Sequence, residues 1–279
     1  MKPPRQLIVT GDDFGSSHDV NLGILEAHQR GILTGASLMV SGEAFEEAVT
    51  LARQHPRMAV GLHLVVVSGR PVLGPGQIPH LVDSAGNFSA SPLRAGLRYQ
   101  FQPEARLELR LEIRAQLEKF RATGLPLSHV DGHLHMQMHP VVLSTLIECA
   151  GEFGIRAIRL PSEELGVALA LDRTEVFSKW VHAWIFHRLR RFAEGRLKAA
   201  RIGFAERVYG LLQTGRMTEE YLLGLIPKIE ADRVEIYSHP TVSAHETSLG
   251  ASRAQLDALV SHKVRQICKA SGFQLSTYG

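Results

Sequence analysis

The segment from Ser128 to His135, Ser-His-Val-Asp-Gly-His-Leu-His, constrains the fold and chemistry of this chain more than any other. In a β-strand, successive side chains point to opposite faces, so every second residue of the segment shares one face. The residues on that face are His129, Asp131, His133 and His135. Buried charge is costly unless it is paired or bound to a metal, and neutral imidazole is a common metal ligand. The segment therefore predicts a strand that carries a site, and the alternative is a polar edge strand with solvated histidines.

Short apolar runs alternate with helical segments along most of the 279 residues. The expected strands are 7–10, 36–40, 58–67, 128–135, 157–160, 233–240 and 274–277, and the expected helices include 18–30, 43–54, 104–123 and 252–270. Repeated strand–helix alternation predicts a parallel sheet covered by helices. At this length we expect one α/β domain over residues 1–279, a closed or incomplete (β/α) barrel with its active groups at the carboxyl ends of the strands.

The alternation is interrupted at about 162–230, where the sequence predicts a helical insertion in the barrel. Between Arg173 and Arg216 there are ten Lys/Arg and three Asp/Glu, so the net charge of +3 originates in this segment. An arc at helical spacing precedes most of these cations and consists of Phe177, Trp180, Val181, Trp184 and Ile185. A basic amphipathic helix with aromatic residues is typical of a membrane interface, which predicts peripheral contact through 177–198. Alternatively, the arc packs on the barrel or on a second subunit.

Several function classes lack their signatures in this sequence. The basic charge is local, which argues against a nucleic-acid partner. No Gly-x-Ser-x-Gly, Walker A or Gly-x-Gly-x-x-Gly motif occurs. Cys149 and Cys268 lie far apart in apolar contexts and indicate no disulfide framework. No run of about 18 apolar residues and no signal region is present, so we expect a cytoplasmic location.

Ionisable residues recur where four of the predicted strands end. They are Asp12-Asp13, His63, His133 and His239. Because the carboxyl ends of parallel strands meet on one rim of a barrel, we expect these side chains to lie together. One Asp and two His from different strands suit a three-ligand metal site with positions open for water and substrate. With a second carboxylate to take a proton and an imidazole to protonate a leaving amine, the set predicts amide or ester hydrolysis without a covalent intermediate.

Four blocks of the sequence, in order, resemble the YdjC-like carbohydrate deacetylase family. They are Thr10–Gly15, Gly61–Leu64, His129–His135 and Ser238–Pro240. The resemblance implies a barrel of the glycoside hydrolase/deacetylase type and removal of acetyl from an N-acetylated sugar with one divalent metal ion, Mg²⁺ or Zn²⁺. The chain is most similar to the branch associated with hopanoid biosynthesis, which implies an N-acetylglucosaminyl lipid substrate met at the inner membrane surface. A homodimer is also expected from the family and the apolar insertion.

The resemblance also implies a role for each matched residue of the rim. It puts the metal on Asp13, His63 and His133. It makes Asp12 the general base, although the roles of Asp12 and Asp13 could be reversed. It makes His239 the general acid or a group that stabilises the transition state.

Further residues are expected to support this site. By the resemblance, Asp131 and His135 line the site and support the metal ligands. Arg253 follows the predicted loop after the last histidine block and could pair with a site carboxylate such as the base, or be an ordinary exposed arginine. The sequence departs from many members of the family at Leu134 and Gln137, where they carry further histidines, and this affects the expected sugar contacts.

Two other functions remain open at this point. A phosphoesterase on the same barrel would favour basic phosphate-binding groups at the rim, whereas the rim here is acidic and rich in imidazole. A glycan- or lipid-binding protein without catalysis would not need both a metal triad and a spare carboxylate. Both alternatives fit the sequence less well than a metal-dependent deacetylase.

Overall fold

One parallel β-sheet organises the protein, which the computed structural model describes over residues 4–245 and 250–278. Its strands are β1 (Arg5–Phe14), β2 (Gly35–Leu38), β3 (Ala59–Leu64), β4 (Val130–Gly132), β5 (Arg207–Tyr209), β6 (Arg233–Ser238) and β7 (Phe273–Ser276). They lie in the order β4-β3-β2-β1-β6-β5, and β7 pairs with the first half of β1. These strand pairs are all parallel, as the strand–helix alternation predicted.

Helices connect the strands and cover the sheet. Over the described residues they are α1 (His18–Arg30), α2 (Phe45–Gln54), α3 (Pro92–Phe101), α4 (Pro103–Ala122), α5 (Pro140–Phe153), α6 (Leu165–Leu171), α7 (Val176–Ala199), α8 (Glu219–Leu225), α9 (Arg253–Val260) and α10 (His262–Ala270), with 3-10 helices at His133–Met138 and Ile226–Lys228. Polar caps set several of their ends. Ser17 caps α1, whose bounds are those predicted, and Ser261 caps α10, so the helix expected over 252–270 is two helices.

The sheet curls into an incomplete barrel, which confirms the predicted fold class. Beyond β4 the sheet continues only through single parallel bridges, from Val130 to Ile158 and from Ala157 to Gly203. An antiparallel bridge from Ser162 to Val208 then reaches β5. The strand predicted over 157–160 is therefore reduced to isolated bridges, and the barrel is closed by far fewer hydrogen bonds here than between β3 and β6.

The central strands are covered on both faces. Residues 7–14 of β1 are buried without interruption, and so are residues 234–238 of β6. Such continuous burial is typical of parallel sheets with helices outside and packed side chains inside. A charged residue in these strands must therefore find its partner within the protein.

The region predicted as a helical insertion, 162–230, contains more than helices. It holds α6, α7 and α8, but it also supplies β5, which pairs with β6 in the main sheet. The segment is therefore part of the sheet and not only an addition to it. Over the described residues, no helix is both long and apolar enough to cross a membrane.

Candidate metal centre and active site

A β-bulge at the end of β1 presents two neighbouring aspartates to the centre of the barrel. Gly11 pairs with Ala36 and Phe14 with Leu38, so Asp12 and Asp13 together lie opposite one residue of β2. Asp13 has a φ of 63°, a left-handed conformation in which aspartate is enriched among non-glycine residues. A bulge changes the direction of side chains, and bulges are common beside active sites. Both carboxylates are thereby buried, yet each has different neighbours.

Asp13, His63 and His133 form a compact buried cluster, as the sequence predicted. Asp13 Oδ1 lies 3.2 Å from His63 Nε2 and 3.4 Å from His133 Nδ1. One ligand atom from each residue lies within 4.8 Å of the other two. Neither oxygen of Asp13 accepts a well-formed hydrogen bond from the described residues. Buried carboxylate oxygens are normally satisfied, so this arrangement fits a cation between the three side chains.

Asp131 orients His63 from behind. Its Oδ1 lies 2.9 Å from His63 Nδ1, and its Oδ2 accepts a 2.6 Å hydrogen bond from Ser37. A carboxylate that holds one nitrogen of a histidine while the other faces a cation is a common arrangement behind metal ligands. Burial alone would lower the pKa of His63, but the carboxylates of Asp131 and Asp13 raise it to about 10. The site therefore favours positive charge at His63 Nε2, either a proton or a metal ion.

Arg159 holds Asp12, and sequence reasoning missed it. The guanidinium is fully buried and donates to both oxygens of Asp12, at 2.6 and 2.8 Å. It replaces the expected Arg253, which is exposed on α9 and pairs with Asp257 instead. Arg253 does not line the cavity, and its side chain is exposed to solvent. Burial raises the pKa of Asp12 by more than the charge of Arg159 lowers it.

Arg159 also binds two further carboxylates. Its Nη1 lies 2.8 Å from Asp131 Oδ2, and its Nε and Nη2 donate to Glu235 Oε1 at 2.9 and 2.8 Å. Arg159 with Asp12, Asp131 and Glu235 is called the Arg159 cluster below. With Asp13 the centre contains four buried carboxylates and one guanidinium, an excess of negative charge that a divalent cation would offset. The available signal was a charged residue inside each of two apolar strand runs, Ala-Ile-Arg-Leu and Val-Glu-Ile-Tyr.

The strand predicted over 128–135 ends at Gly132, and a 3-10 helix follows. Leu134 and His135 have φ values of 49° and 57°, so the two-residue alternation does not continue through them. His135 is not one of the clustered candidate ligands, and its Nε2 lies 2.7 Å from the hydroxyl of Tyr237. Burial and the charge of Arg159 lower the pKa of His135 well below its ordinary value. The prediction that all four ionisable side chains lie on one strand face was wrong because the chain turns to start the 3-10 helix.

A cavity of about 700 Å³ opens over the centre. Its wall includes Asp12, His63, His133, His135, Tyr237 and His239. His239 is buried; its backbone N–H donates to Gln255 Oε1, and its backbone carbonyl accepts from Gln255 Nε2. The structure therefore brings His239 to the same cavity as the metal cluster. Apolar side chains from α3, the 3-10 helix and α7 also line the cavity, together with charged ones such as Lys179 and Arg216.

The fold and the cluster define the class of this protein: a barrel-like α/β protein with a candidate metal centre at the carboxyl edge of its sheet. Within that class, the chain belongs to the YdjC-like protein family, whose sequence model matches residues 6–270. This confirms the resemblance to the family.

Similar proteins agree with this placement. A carbohydrate deacetylase of Brevibacillus brevis is 42% identical over 179 residues, which are 62% of this chain and 68% of that protein. One from Geobacillus stearothermophilus is 40% identical over 159 residues, 56% of this chain and 61% of that protein. The matched part thus spans about two thirds of these relatives or less. A crystal structure from Enterococcus faecalis V583, whose name proposes a role in cellobiose-phosphate cleavage, has a TM-score of 0.72 and 22% identity, and covers 99% of this chain and 98% of that one. At that identity it supports the fold alone.

Proposed function

We propose that this protein is a metal-dependent hydrolase that removes the acetyl group from an N-acetylated sugar. The observation that carries the proposal is the pairing of two adjacent carboxylates with different neighbours. Asp13 faces two imidazoles, whereas Asp12 is held by a guanidinium beside the same cavity. The names of the matched relatives support the carbohydrate substrate and the deacetylation.

In this proposal Asp13, His63 and His133 hold one divalent cation, Mg²⁺ or Zn²⁺. Their mixed oxygen and nitrogen ligands suit such an ion, and Asp131 fixes the ring of His63. A bound divalent ion lowers the pKa of water and polarises a carbonyl oxygen.

The remaining groups move protons and orient the substrate. Asp12 is the general base because it lines the cavity beside the candidate metal ligands, and Arg159 fixes its orientation. His239 lines the same cavity and protonates the leaving amine or stabilises the transition state. His135, held by Tyr237, contacts the sugar.

Acetate release from N-acetylglucosamine substrates, free and lipid-linked, tests this function. We expect release with added metal, none with chelator, and a loss of about 10²–10⁴-fold in Asp12→Asn while metal stays bound. Loss of metal together with activity in Asp12→Asn would exchange the roles of Asp12 and Asp13. Metal binding without acetate release from any substrate would contradict the deacetylase and favour a phosphoesterase or a binding protein.

Apolar side chains in the cavity wall support a lipid-linked N-acetylated sugar, such as an N-acetylglucosaminyl hopanoid. Leu93, Leu134, Ile185, Phe186 and Leu189 are among the residues that line the cavity, and an apolar aglycone would pack against them. We expect a lower KM for the lipid-linked substrate than for the free sugar. Equal KM values would remove the support for an apolar aglycone.

The outer face of α7 supports contact with an anionic membrane surface. The alternative that the arc packs on the barrel does not hold for Phe177, Trp180 and Trp184, which are 79%, 54% and 50% exposed. Exposed cations such as Arg188 and Arg191 follow on the same helix. We extend the proposal to a cytoplasmic enzyme peripheral at the inner membrane, which the free thiols of Cys149 and Cys268 support. Flotation with anionic liposomes tests it, and protein that stays unbound would contradict it.

Exposed leucines also support the expected homodimer. Leu93 and Leu97 on α3 and Leu107 and Leu111 on α4 are each at least half exposed. Apolar surface of this kind is typical of an interface. Light scattering should give twice the chain mass of 30.8 kDa, and a monomer at micromolar concentration would contradict the dimer.

A further inference from the structure

Tyr278, which follows β7, is buried beneath the active site. Its hydroxyl makes a short hydrogen bond to Glu235 Oε2, and its backbone carbonyl accepts a 2.8 Å hydrogen bond from Arg233. Its ring stacks on His129, with 4.8 Å between the centroids and 25° between the planes. Burial raises the pKa of Tyr278 well above its ordinary value, so the hydroxyl stays a donor.

Glu235 connects Tyr278 to the Arg159 cluster. Glu235 Oε1 accepts from Arg159 and from Thr10 Oγ1, the latter at 2.8 Å, whereas Oε2 faces Tyr278. A guanidinium is a rigid planar fork, and here its donors reach three carboxylates at once. A rotation of Glu235 would therefore tilt Arg159 and shift Asp12, which Arg159 holds by two hydrogen bonds.

A second set of contacts connects the ring of Tyr278 to a metal ligand. His129, on which Tyr278 stacks, lies 3.1 Å from the hydroxyl of Ser37, which donates to Asp131. Asp131 in turn holds His63. Gly61 is required for this arrangement, because a Cβ there would lie 2.5 Å from the His129 ring.

We propose that Tyr278 is a positioning residue for the reaction proposed above: its hydroxyl fixes Glu235 and, through Arg159, holds Asp12 at the cavity. The inference rests on the proposed function for its effect on catalysis. The contacts that carry it extend from the segment after β7 through the barrel interior to the candidate base. Tyr278 itself does not line the cavity, so it acts through these neighbours.

Tyr278→Phe keeps the ring and removes the hydroxyl. We expect kcat for acetate release to fall about tenfold with KM within about twofold, because Asp12 is displaced while the sugar contacts remain. Tyr209→Phe is the matched control. It removes a similar tyrosine–glutamate bond, from Tyr209 to Glu164 at 2.8 Å, outside the Arg159 cluster. The control should lower Tm by a similar amount and leave kcat unchanged. An unchanged kcat in Tyr278→Phe would overturn the proposal.

A second readout does not depend on activity. The Nε–H of Arg159, observed by ¹⁵N NMR, should exchange with solvent faster in Tyr278→Phe than in wild type or Tyr209→Phe. If the wild-type protein releases no acetate but exchange is still faster in Tyr278→Phe, the proposed function fails while Tyr278 still orders Arg159. Unchanged exchange would overturn the positioning role itself. Thr10→Val removes the other hydroxyl that donates to Glu235 and should lower kcat in the same direction. An unchanged kcat in Thr10→Val would exclude Glu235 as the connection.

Discussion

The Arg159 cluster and the outer face of α7 place costly side chains in opposite ways. In the cluster, charged groups are buried and each described carboxylate finds a donor within the protein. On α7, large apolar side chains such as Trp180 and Trp184 lie in solvent. The charged groups of the first region find their partners within one chain, whereas the second region exposes apolar surface that a membrane or another molecule could cover.

The strongest way to break this comparison is to remove the central charge of the cluster. Arg159→Met would leave Asp12, Asp131 and Glu235 buried without their shared partner. We expect the free energy of unfolding to fall by about 3–5 kcal/mol, the cost of breaking a buried ion pair on one side. Urea denaturation at neutral pH measures it. Arg253→Met, on the exposed pair with Asp257, is the control and should change stability by less than about 1 kcal/mol. Equal decreases in the free energy of unfolding in both variants would show that the buried ion pairs stabilise the protein no more than the exposed one.

A smaller change sharpens the comparison within the cluster itself. Asp131→Asn keeps the shape of the side chain but removes the negative charge behind His63. We expect metal affinity to fall about 10–100-fold, as for other carboxylates that orient a metal-bound histidine. Isothermal titration with Zn²⁺ measures it, with Asp257→Asn as a surface control. Unchanged metal affinity would mean that Asp131 pairs with Arg159 but does not orient His63 for metal binding.

The pH dependence of metal binding tests the same histidine. Because the neighbouring carboxylates raise the pKa of His63 to about 10, a cation at Nε2 must displace a proton below that pH. Apparent metal affinity should therefore rise with pH, by about tenfold per pH unit for one displaced proton. Titrations between pH 6 and pH 9 measure the slope. A flat profile would show that His63 is neutral without metal.

The smallest expected effect on stability lies on α7. Replacing Trp180 and Trp184 with serine should change the free energy of unfolding by less than about 0.5 kcal/mol for each site, since both rings are exposed. The same double variant should lose binding to anionic liposomes. A large loss of stability would instead mean that the α7 face already has a partner within the protein, and the contrast between the two regions would fail.

The sequence predicted the parallel barrel, the bounds of α1 and the meeting of Asp13, His63 and His133. These features depend on local patterns, namely alternating apolar runs and ionisable residues at strand ends. It also predicted that Asp12 and Asp13 could differ in role, and the structure gives them different neighbours. The error at Leu134 and His135 arose where the backbone leaves the strand, because alternation carries no information about where it stops.

Only the tertiary structure decided which residues surround Asp12. Arg159, Glu235 and Tyr278 are far apart in the sequence and lie near different strands, and their contacts exist because the sheet curls. A charged residue within an apolar strand run predicts that it has a partner. The sequence does not identify that partner, because proximity in the fold, and not along the chain, determines it. For the same reason the sequence identified the arc on α7 and could not decide whether that arc is covered. The local pattern thus determined the candidate metal ligands, and the packing of distant strands decided how the candidate base is held.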